Sequence, residues 1–444
     1  MNIFIYISAF IFLIMVITAV HEAGHFFVAR FFKVKILDFS IGMGKSIKCW
    51  KDKSDTEFNL RILPIGGFVR MLGEEDKNEK STDSFSSKRY YQKTLILLAG
   101  PVANFLLAII LFTGLNVYGN TTISSMAGQI SKDSPAFFAG IKENDLILEI
   151  DSSQVISRAD AQMILARRLG ETGNIDFIIL SDNVKKSVFI NINEWLQGEE
   201  PSDLLYNIGI NVPIEPIVGK VLPKSPAEIS GLESGDKILS VNGTNISSWS
   251  EIKSQINLNL GLPSIFYIER GDAKENFLVA PSKSKNEKNN WEIGIVASNQ
   301  ISEKAKIYQS YGFLEAIEKA SFQTFNTITD SFTFLYKMII GYVSPKNLGG
   351  PVMIGQFAGD SIIYGGFYSF LLLLCFVSIG LGVINLVPIP ILDGGQILIL
   401  TIEKIKGSPI SPKVLDFTYR FGISAVILLM IFAFVNDISR IGLF

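Results

Sequence analysis

Residues 16–30 read VITAVHEAGHFFVAR, an apolar stretch that nevertheless contains His21, Glu22 and His25. The 444-residue chain has only two histidines, and both lie here, four positions apart. Positions i and i+4 share one face of a helix, so the two imidazoles can bind one metal ion. Glu22 lies about 100° around the helix, which suits a base that acts on water at the metal rather than a ligand. The pattern H-E-x-x-H is typical of zinc metalloproteases.

The alternative interpretation is two polar residues near the cytoplasmic end of a membrane span. We consider it weaker, because ionisable side chains in apolar segments are costly and are functional by default. The surrounding segment, Ile3–Arg30, is apolar and long enough to cross a bilayer, which takes about 20 residues. The sequence therefore predicts a zinc site inside a membrane helix.

Catalytic zinc usually has three protein ligands and a water molecule, and no third histidine exists in this chain. Asp393 lies a little over 20 residues inward from Phe367, at a depth that matches the histidines. It follows Pro388 and Pro390, which break the helix. The structural alternative for Asp393 is an N-cap of the next helix. Three other candidates lie at the wrong depth: Cys375, Glu403 and Asp437.

Composition indicates a protein that is part membrane and part soluble. Hydrophobic residues make up 48% and charged residues 18%, and the net charge of −2 gives no indication of a nucleic-acid partner. Four segments are predicted to span the lipid bilayer: Ile3–Arg30, Leu95–Val117, Phe367–Val387 and Phe421–Val435. Lysine and arginine are frequent in 33–93 and recur in 404–420, which places both loops in the cytoplasm. Segment 118–366 and both termini are then outside.

The outer segment contains an internal repeat. Residues 133–151 (DSPAFFAGIKENDLILEID) and 224–242 (KSPAEISGLESGDKILSVN) share serine, proline, alanine, glycine and aspartate at a shift of 91 positions. Each copy predicts a serine-capped short helix that begins with proline, followed by a strand. The two copies resemble a pair of PDZ domains, which take an extended peptide as an added strand. A bulky spacer or size filter is an equally supported alternative.

Three motifs in different spans together resemble the site-2 protease family of intramembrane zinc metalloproteases. They are HEAGH (21–25), GPVAN (100–104) and NLVPIPILDGG (385–395). The resemblance implies that His21, His25 and Asp393 bind Zn²⁺ and that Glu22 is the general base.

The resemblance also implies substrate-binding residues. It gives Asn385 a role in binding the substrate backbone, with Asn104 as a weaker candidate that has an interhelical hydrogen bond as its alternative. Segment 58–75 (FNLRILPIGGFVRMLGEE) resembles the family's membrane-associated β-hairpin, with apolar runs on both sides of Gly66 and Gly67. Such an edge, including Phe68, is expected to hold a substrate strand by main-chain hydrogen bonds, although a plain cytoplasmic hairpin is the alternative.

We therefore expect a multi-pass α-helical membrane protein with four transmembrane helices, a membrane-associated β-hairpin and two inserted α+β PDZ domains. The expected domains are 1–118 (helices one and two with the H-E-x-x-H site and the hairpin), 119–213 and 214–300 (periplasmic PDZ domains), 301–366 (amphipathic and linker region) and 367–444 (helices three and four with the third ligand).

The function implied by the resemblance is zinc-dependent hydrolysis of transmembrane segments in the bacterial inner membrane, near its cytoplasmic side. The expected substrates are single-span membrane proteins already trimmed outside, notably an anti-sigma factor in envelope stress signalling, and remnant signal peptides. A non-catalytic membrane adaptor that presents PDZ domains is the alternative, but an adaptor needs neither H-E-x-x-H nor Asp393. A zinc transporter would need more intramembrane polar groups than the sequence contains.

Overall fold

The computed structural model describes residues 2–74, 81–283 and 291–440, and the chain forms two compact units. The units comprise, first, Met1–Asn120, Ser310–Ile340 and Ser344–Phe444 and, second, Thr121–Gln309 and Gly341–Val343. The helices are α1 (Asn2–Phe31), α2 (Tyr90–Tyr118), α3 (Pro135–Phe138), α4 (Arg158–Ala166), α5 (Leu204–Asn207), α6 (Pro226–Ile229), α7 (Trp249–Leu258), α8 (Phe313–Ile339), α9 (Pro351–Leu386), α10 (Asp393–Lys406) and α11 (Pro412–Arg440).

The strands are short except for the first two. They are β1 (Ile36–Lys51), β2 (Glu57–Met71), β3 (Asn120–Ile123), β4 (Leu146–Ile150), β5 (Ser153–Gln154), β6 (Gly173–Ser181), β7 (Val184–Ile192), β8 (Val218–Val221), β9 (Lys237–Val241), β10 (Thr244–Asn245), β11 (Ser264–Arg270), β12 (Ala273–Val279), β13 (Ser282–Lys283), β14 (Trp291–Glu292), β15 (Ile295–Ala297) and β16 (Lys306–Gln309). Two single 3₁₀ turns lie at Glu303–Ala305 and Pro345–Asn347.

Four helices of the first unit are long and apolar enough to cross a membrane, which confirms the predicted number of spans. They are α1, α2, α9 and α11, and among the described residues they are the only helices that meet this test. Their mutual contacts bury small and branched side chains such as Leu13 and Ile17 of α1 and Ile379 of α9. The chain is thus an integral membrane protein whose site region is a helical bundle.

The third span begins earlier than the sequence indicated. Residues 344–359, within the region 301–366, are predicted to be a glycine-rich linker, but α9 is helical from Pro351, so this prediction is wrong from that residue onward. At Gly366 the helix is interrupted by a positive φ of 65°, a conformation that glycine adopts without strain. The predicted start of the span, Phe367, is therefore the first residue after this kink.

The start of α9 is held by the last turns of α11. The backbone amides of Gly350, Val352 and Met353 donate hydrogen bonds to the Asp437 carboxylate at 2.9, 3.0 and 3.0 Å. Asp437 is only 2% exposed, and its charge lies where the helix N-terminus favours an anion. The side chain of Asn436 donates to the carbonyl of Leu348 at 3.1 Å and so extends the same contact. Asp437 therefore has a structural role, which is to cap the start of α9.

The predicted hairpin is present, but its course differs from the prediction. The antiparallel pair β1–β2 is connected by residues 52–56, so Gly66 and Gly67 lie inside β2 and do not form its turn. Gly66 has a φ of 78° and marks a bend within β2. As a result, Ser40 of β1 pairs with both Asn59 and Phe68, one in each half of β2. Glu75, the last residue of the predicted segment, lies outside the described residues.

The second unit contains two four-stranded antiparallel sheets with the same strand order. The orders are β5-β4-β6-β7 and β10-β9-β11-β12. Each sheet is preceded by a four-residue helix that begins with proline and is capped by a serine, Ser134 or Ser225. Apolar side chains such as Ile147 and Phe177 in the first half, and Ile238 and Phe266 in the second, are fully buried.

Candidate metal centre

The structure brings together His21, His25 and Asp393 from two elements more than 360 positions apart. The Nε2 atom of His21 lies 3.2 Å from Oδ2 of Asp393, and Nε2 of His25 lies 3.5 Å from the same oxygen. The two Nε2 atoms are 3.2 Å apart. All three side chains are at most 13% exposed. Within residues 2–74, 81–283 and 291–440, no other three acidic, cysteine or histidine side chains converge in this way.

Helix α2 forms the wall behind the histidines. The Nδ1 atom of His25 lies 2.8 Å from the carbonyl oxygen of Ile96, a contact that fixes the orientation of the ring. One turn further on, Gly100 faces both rings, because a Cβ atom there would lie 2.6 Å from Cε1 of His25 and 2.7 Å from Nε2 of His21. Sequence reasoning identified the GPVAN motif by resemblance but missed this space requirement, which depends on how two helices pack.

Asp393 reaches the histidines because α9 ends before it and the chain turns between the two helices. Helix α9 ends at Leu386, and α10 begins at Asp393 itself, with Leu392 as the N-cap. The N-cap alternative for Asp393 is therefore wrong. The two following glycines allow close approach of the backbone, since a Cβ atom on Gly394 would lie 2.8 Å from the carbonyl oxygen of Val387.

Glu22 lies between the histidines and the sheet. It follows His21 on α1, and its side chain is partly buried. Gly67 of β2 packs against it so closely that a Cβ atom on this glycine would be 3.0 Å from Cγ of Glu22. The carboxylate also interacts with the backbone amide of Val69. The second half of β2 thus borders the carboxylate that the sequence assigns to proton transfer.

Of the two asparagines predicted to bind substrate, Asn385 lies on the ligand side of His21. Its Nδ2 atom is 3.3 Å from Nε2 of His21, in the last turn of α9 before the break. Asn104 is fully buried on α2, and its Nδ2 atom is 3.3 Å from the other ring nitrogen of His21, Nδ1. The two amides therefore approach opposite nitrogens of one imidazole.

The remaining predicted substrate residues lie on β2 beside Glu22. Phe68 is 36% exposed, and the guanidinium of Arg61 lies 5.0 Å from the centre of its ring. Arg61 of β2 also donates a hydrogen bond to the buried carboxylate of Asp38 on β1 at 3.0 Å, which connects the two strands. These contacts hold Gly67 and Phe68 in a defined position relative to Glu22.

The donor set matches a catalytic metal site. Two imidazoles and one carboxylate leave a fourth position of a tetrahedral zinc ion free for water or substrate. The three donor atoms lie within 4.8 Å of one another, so one ion can contact all of them after small adjustments.

The chain belongs to peptidase family M50, the site-2 protease family, whose sequence model matches residues 9–430. It is a metalloprotease, and the four apolar helices make it an integral membrane one.

Among its relatives, the regulator of sigma E protease of Haemophilus influenzae is 34% identical over 445 residues, which cover 98% of this chain and 99% of the relative. The regulator of sigma-E protease RseP of Escherichia coli is 33% identical over 444 residues, with 98% of each chain covered. A Pasteurella multocida protein whose name describes a zinc metalloprotease is 32% identical over 442 residues, again with 98% of each chain covered.

Proposed function

We propose that the protein is a zinc protease that hydrolyses peptide bonds inside the membrane, with His21, His25 and Asp393 as the metal ligands and Glu22 as the general base. The observation that carries this proposal is the convergence of the two Nε2 atoms on one carboxylate oxygen, at 3.2 and 3.5 Å. The name of the P. multocida relative, which describes a zinc enzyme, supports the choice of metal.

A zinc ion held by His21, His25 and Asp393 would act as a Lewis acid that activates water and polarises the scissile carbonyl. Glu22 then accepts a proton from the water and passes it to the leaving amine. Asn385, next to the ligand side of His21, donates its amide hydrogens to the substrate backbone and holds the scissile bond in place. His21, Glu22 and His25 belong to α1, Asn385 to the end of α9 and Asp393 to the start of α10, so the packing of these helices fixes their mutual geometry.

The second half of β2 is proposed to bind the substrate as an extended strand. A transmembrane helix conceals its amides in internal hydrogen bonds, so a protease must unwind it before cleavage. Gly67 and Phe68 offer main-chain groups beside Glu22, and addition of a strand at a sheet edge is a common way of binding an extended peptide. The location of Gly67 against Glu22 supports this role.

We infer the substrate class from the relatives. Two of them are named regulators of sigma E protease, which supports a single-span anti-sigma factor, trimmed outside beforehand, as the substrate. Remnant signal peptides are a second class. The basic loops support a topology in the bacterial inner membrane with the termini and the second unit in the periplasm and the metal centre toward the cytoplasmic side.

The two sheets of the second unit are proposed to be PDZ domains that control substrate access. Their common strand order and their serine-capped helices at equivalent positions support this interpretation. All proposed ligands, the base and Asn385 belong to the first unit. The PDZ pair would therefore act on which substrates reach the site, by size or by binding a new C-terminus, and not on the chemistry.

Replacing Asp393 by alanine is expected to remove most of the zinc, from about one ion per chain, and with it the protease activity. The reason is that two imidazoles alone are left as ligands. Metal analysis of the purified protein measures the first effect, and cleavage of a membrane-embedded reporter measures the second. The matched control is Asp416→Ala, which removes an exposed aspartate that forms an ion pair with Arg420 one turn later on α11. An Asp393→Ala protein with full zinc content would mean that the third ligand is another residue.

Deleting Thr121–Gln309 and joining the ends with a short linker is expected to let the enzyme cut substrates that still carry a large outer domain. The proposed site lies wholly in the first unit, so the chemistry should survive the deletion. Cleavage of full-length and pre-trimmed substrates is compared in cells, with the Glu22→Gln form of the same deletion as the blank. If the deletion variant accumulates, cuts the trimmed substrate and still refuses the full-length one, the PDZ pair does not control access.

A further inference from the structure

The two histidines present their Nδ1 atoms to the same face of α2. Nδ1 of His25 meets the carbonyl oxygen of Ile96 at 2.8 Å, and Nδ1 of His21 meets the side-chain amide of Asn104 at 3.3 Å. Ile96, Gly100 and Asn104 follow each other at intervals of four residues, so they form one stripe along the helix. Ile96 and Asn104 each contact one ring, and Gly100 between them leaves the space that both rings occupy.

The chemistry of a metal-bound imidazole fixes which atom each partner must offer. Both rings turn Nε2 toward Asp393, so Nε2 is the nitrogen that can bind the metal. A neutral imidazole that binds through Nε2 carries its proton on Nδ1, and this Nδ1–H needs a hydrogen-bond acceptor. The carbonyl of Ile96 is such an acceptor for His25. The Nδ2 group of Asn104 is a donor and cannot serve His21 in the same way.

Asn104 carries the required acceptor on the same amide. Its Oδ1 atom is buried and has no hydrogen-bond partner in the described part of the chain, so it is available to accept a hydrogen bond. Exchange of Oδ1 and Nδ2 is a rotation of the amide by half a turn, and the choice between the two orientations is made from the hydrogen-bond network. With Oδ1 toward His21, the Nδ1–H group and the unpartnered oxygen satisfy each other.

We propose that Asn104 is a positioning residue of the metal centre. Its Oδ1 atom accepts the Nδ1–H of His21, fixes the tautomer of this ring and holds Nε2 toward the zinc, as the carbonyl of Ile96 does for His25. The inference rests on the zinc site proposed above. It replaces the substrate-binding role that the sequence suggested for Asn104, whereas Asn385, which approaches Nε2, keeps that role.

The test measures zinc affinity of the full-length protein in detergent by competition with a chelator. Asn104→Leu preserves the approximate size but removes the acceptor, and it is expected to weaken zinc binding about 10- to 100-fold. Asn104→Asp restores an acceptor in either orientation of the side chain and is expected to keep most of the affinity. Ser378→Ala is the matched control, because Ser378 is equally buried and donates to the backbone carbonyl of Asn104 at 3.0 Å without contacting a histidine.

A second measurement reports the tautomer directly. Because the chain has only two histidines, labelling histidine with ¹⁵N gives signals from these two rings alone. Zinc-loaded wild type is expected to show both Nδ1 atoms protonated, and Asn104→Leu should alter the Nδ1 signal of one ring only. This spectrum decides the question if the leucine variant fails to fold, since zinc bound through Nδ1 of His21 would overturn the proposal.

The outcomes separate this inference from the function on which it rests. A wild-type protein that binds no zinc would contradict the proposed function itself. If wild type binds zinc and Asn104→Leu binds it equally well, only the positioning role is wrong. Loss of affinity in Asn104→Asp as large as in Asn104→Leu, or in Ser378→Ala, would show that packing between α2 and α9 matters and the hydrogen bond does not.

Discussion

Replacing Glu22 by glutamine is expected to slow cleavage of a membrane-embedded substrate by about 100- to 10,000-fold while the zinc content stays at the wild-type level. Glu22 is next to His21 on α1, beside the helix face that carries the two histidines, and it is not among the three converging donors. Glutamine has the same shape and can keep the contact with the backbone of β2. It cannot accept the proton of the attacking water, so the chemistry is lost and the site remains.

The control for this variant is Glu57→Gln. Glu57 lies on β2 and forms an ion pair with Lys51 on β1. Zinc content and reporter cleavage are measured for both variants. We expect Glu57→Gln to behave as wild type. Cleavage by Glu22→Gln at a comparable rate would exclude Glu22 as the general base, and loss of its zinc would indicate that Glu22 is a ligand.

Gly100→Ala should abolish metal binding although it adds a single methyl group. The new Cβ atom would lie 2.6 and 2.7 Å from atoms of His25 and His21, distances that real contacts do not reach. A movement of α2 away from α1 would open the close contact between the two helices, where a Cβ atom on Gly24 would be 2.7 Å from the carbonyl carbon of Ala99. The rings must therefore move, and the three donors no longer converge.

Gly114→Ala is the matched control on the same helix. A Cβ atom at Gly114 meets nothing within 4 Å, and alanine in a helix is favoured over glycine by about 1 kcal/mol. This variant should keep its zinc and melt no earlier than wild type. If Gly100→Ala also kept zinc and activity, the close packing of α2 against the histidines would be contradicted.

The chemical groups of the site could be predicted because each one leaves a local signal. The spacing of His21 and His25 is a property of one helix, and both residues are conspicuous in an apolar segment. Asp393 was found by its depth in the third span, which the length of apolar segments sets. Four spans followed from the same lengths, and the structure confirms their number.

The supporting parts could not be predicted, since they depend on contacts between distant segments. Gly100 is required by two rings of another helix, and no pattern around it reveals that distance. Gly66 and Gly67 were expected to separate two strands, but glycine also allows a bend within a strand, and only pairing with β1 decides between these cases. The glycine-rich start of α9 has low helix propensity by itself, and its cap comes from a residue 87 positions later.

That late cap also has a consequence for the order in which the protein matures. A ribosome adds Gly350 long before Asp437, so the amides at the start of α9 have no carboxylate to bind until the fourth span has been made. During synthesis the third span is therefore present before the amides of its first turn have their hydrogen-bond acceptor. A chain that stops short of Asn436 would keep every catalytic group and all four apolar segments. The start of its third span, however, would lack the hydrogen bonds from Asn436 and to Asp437.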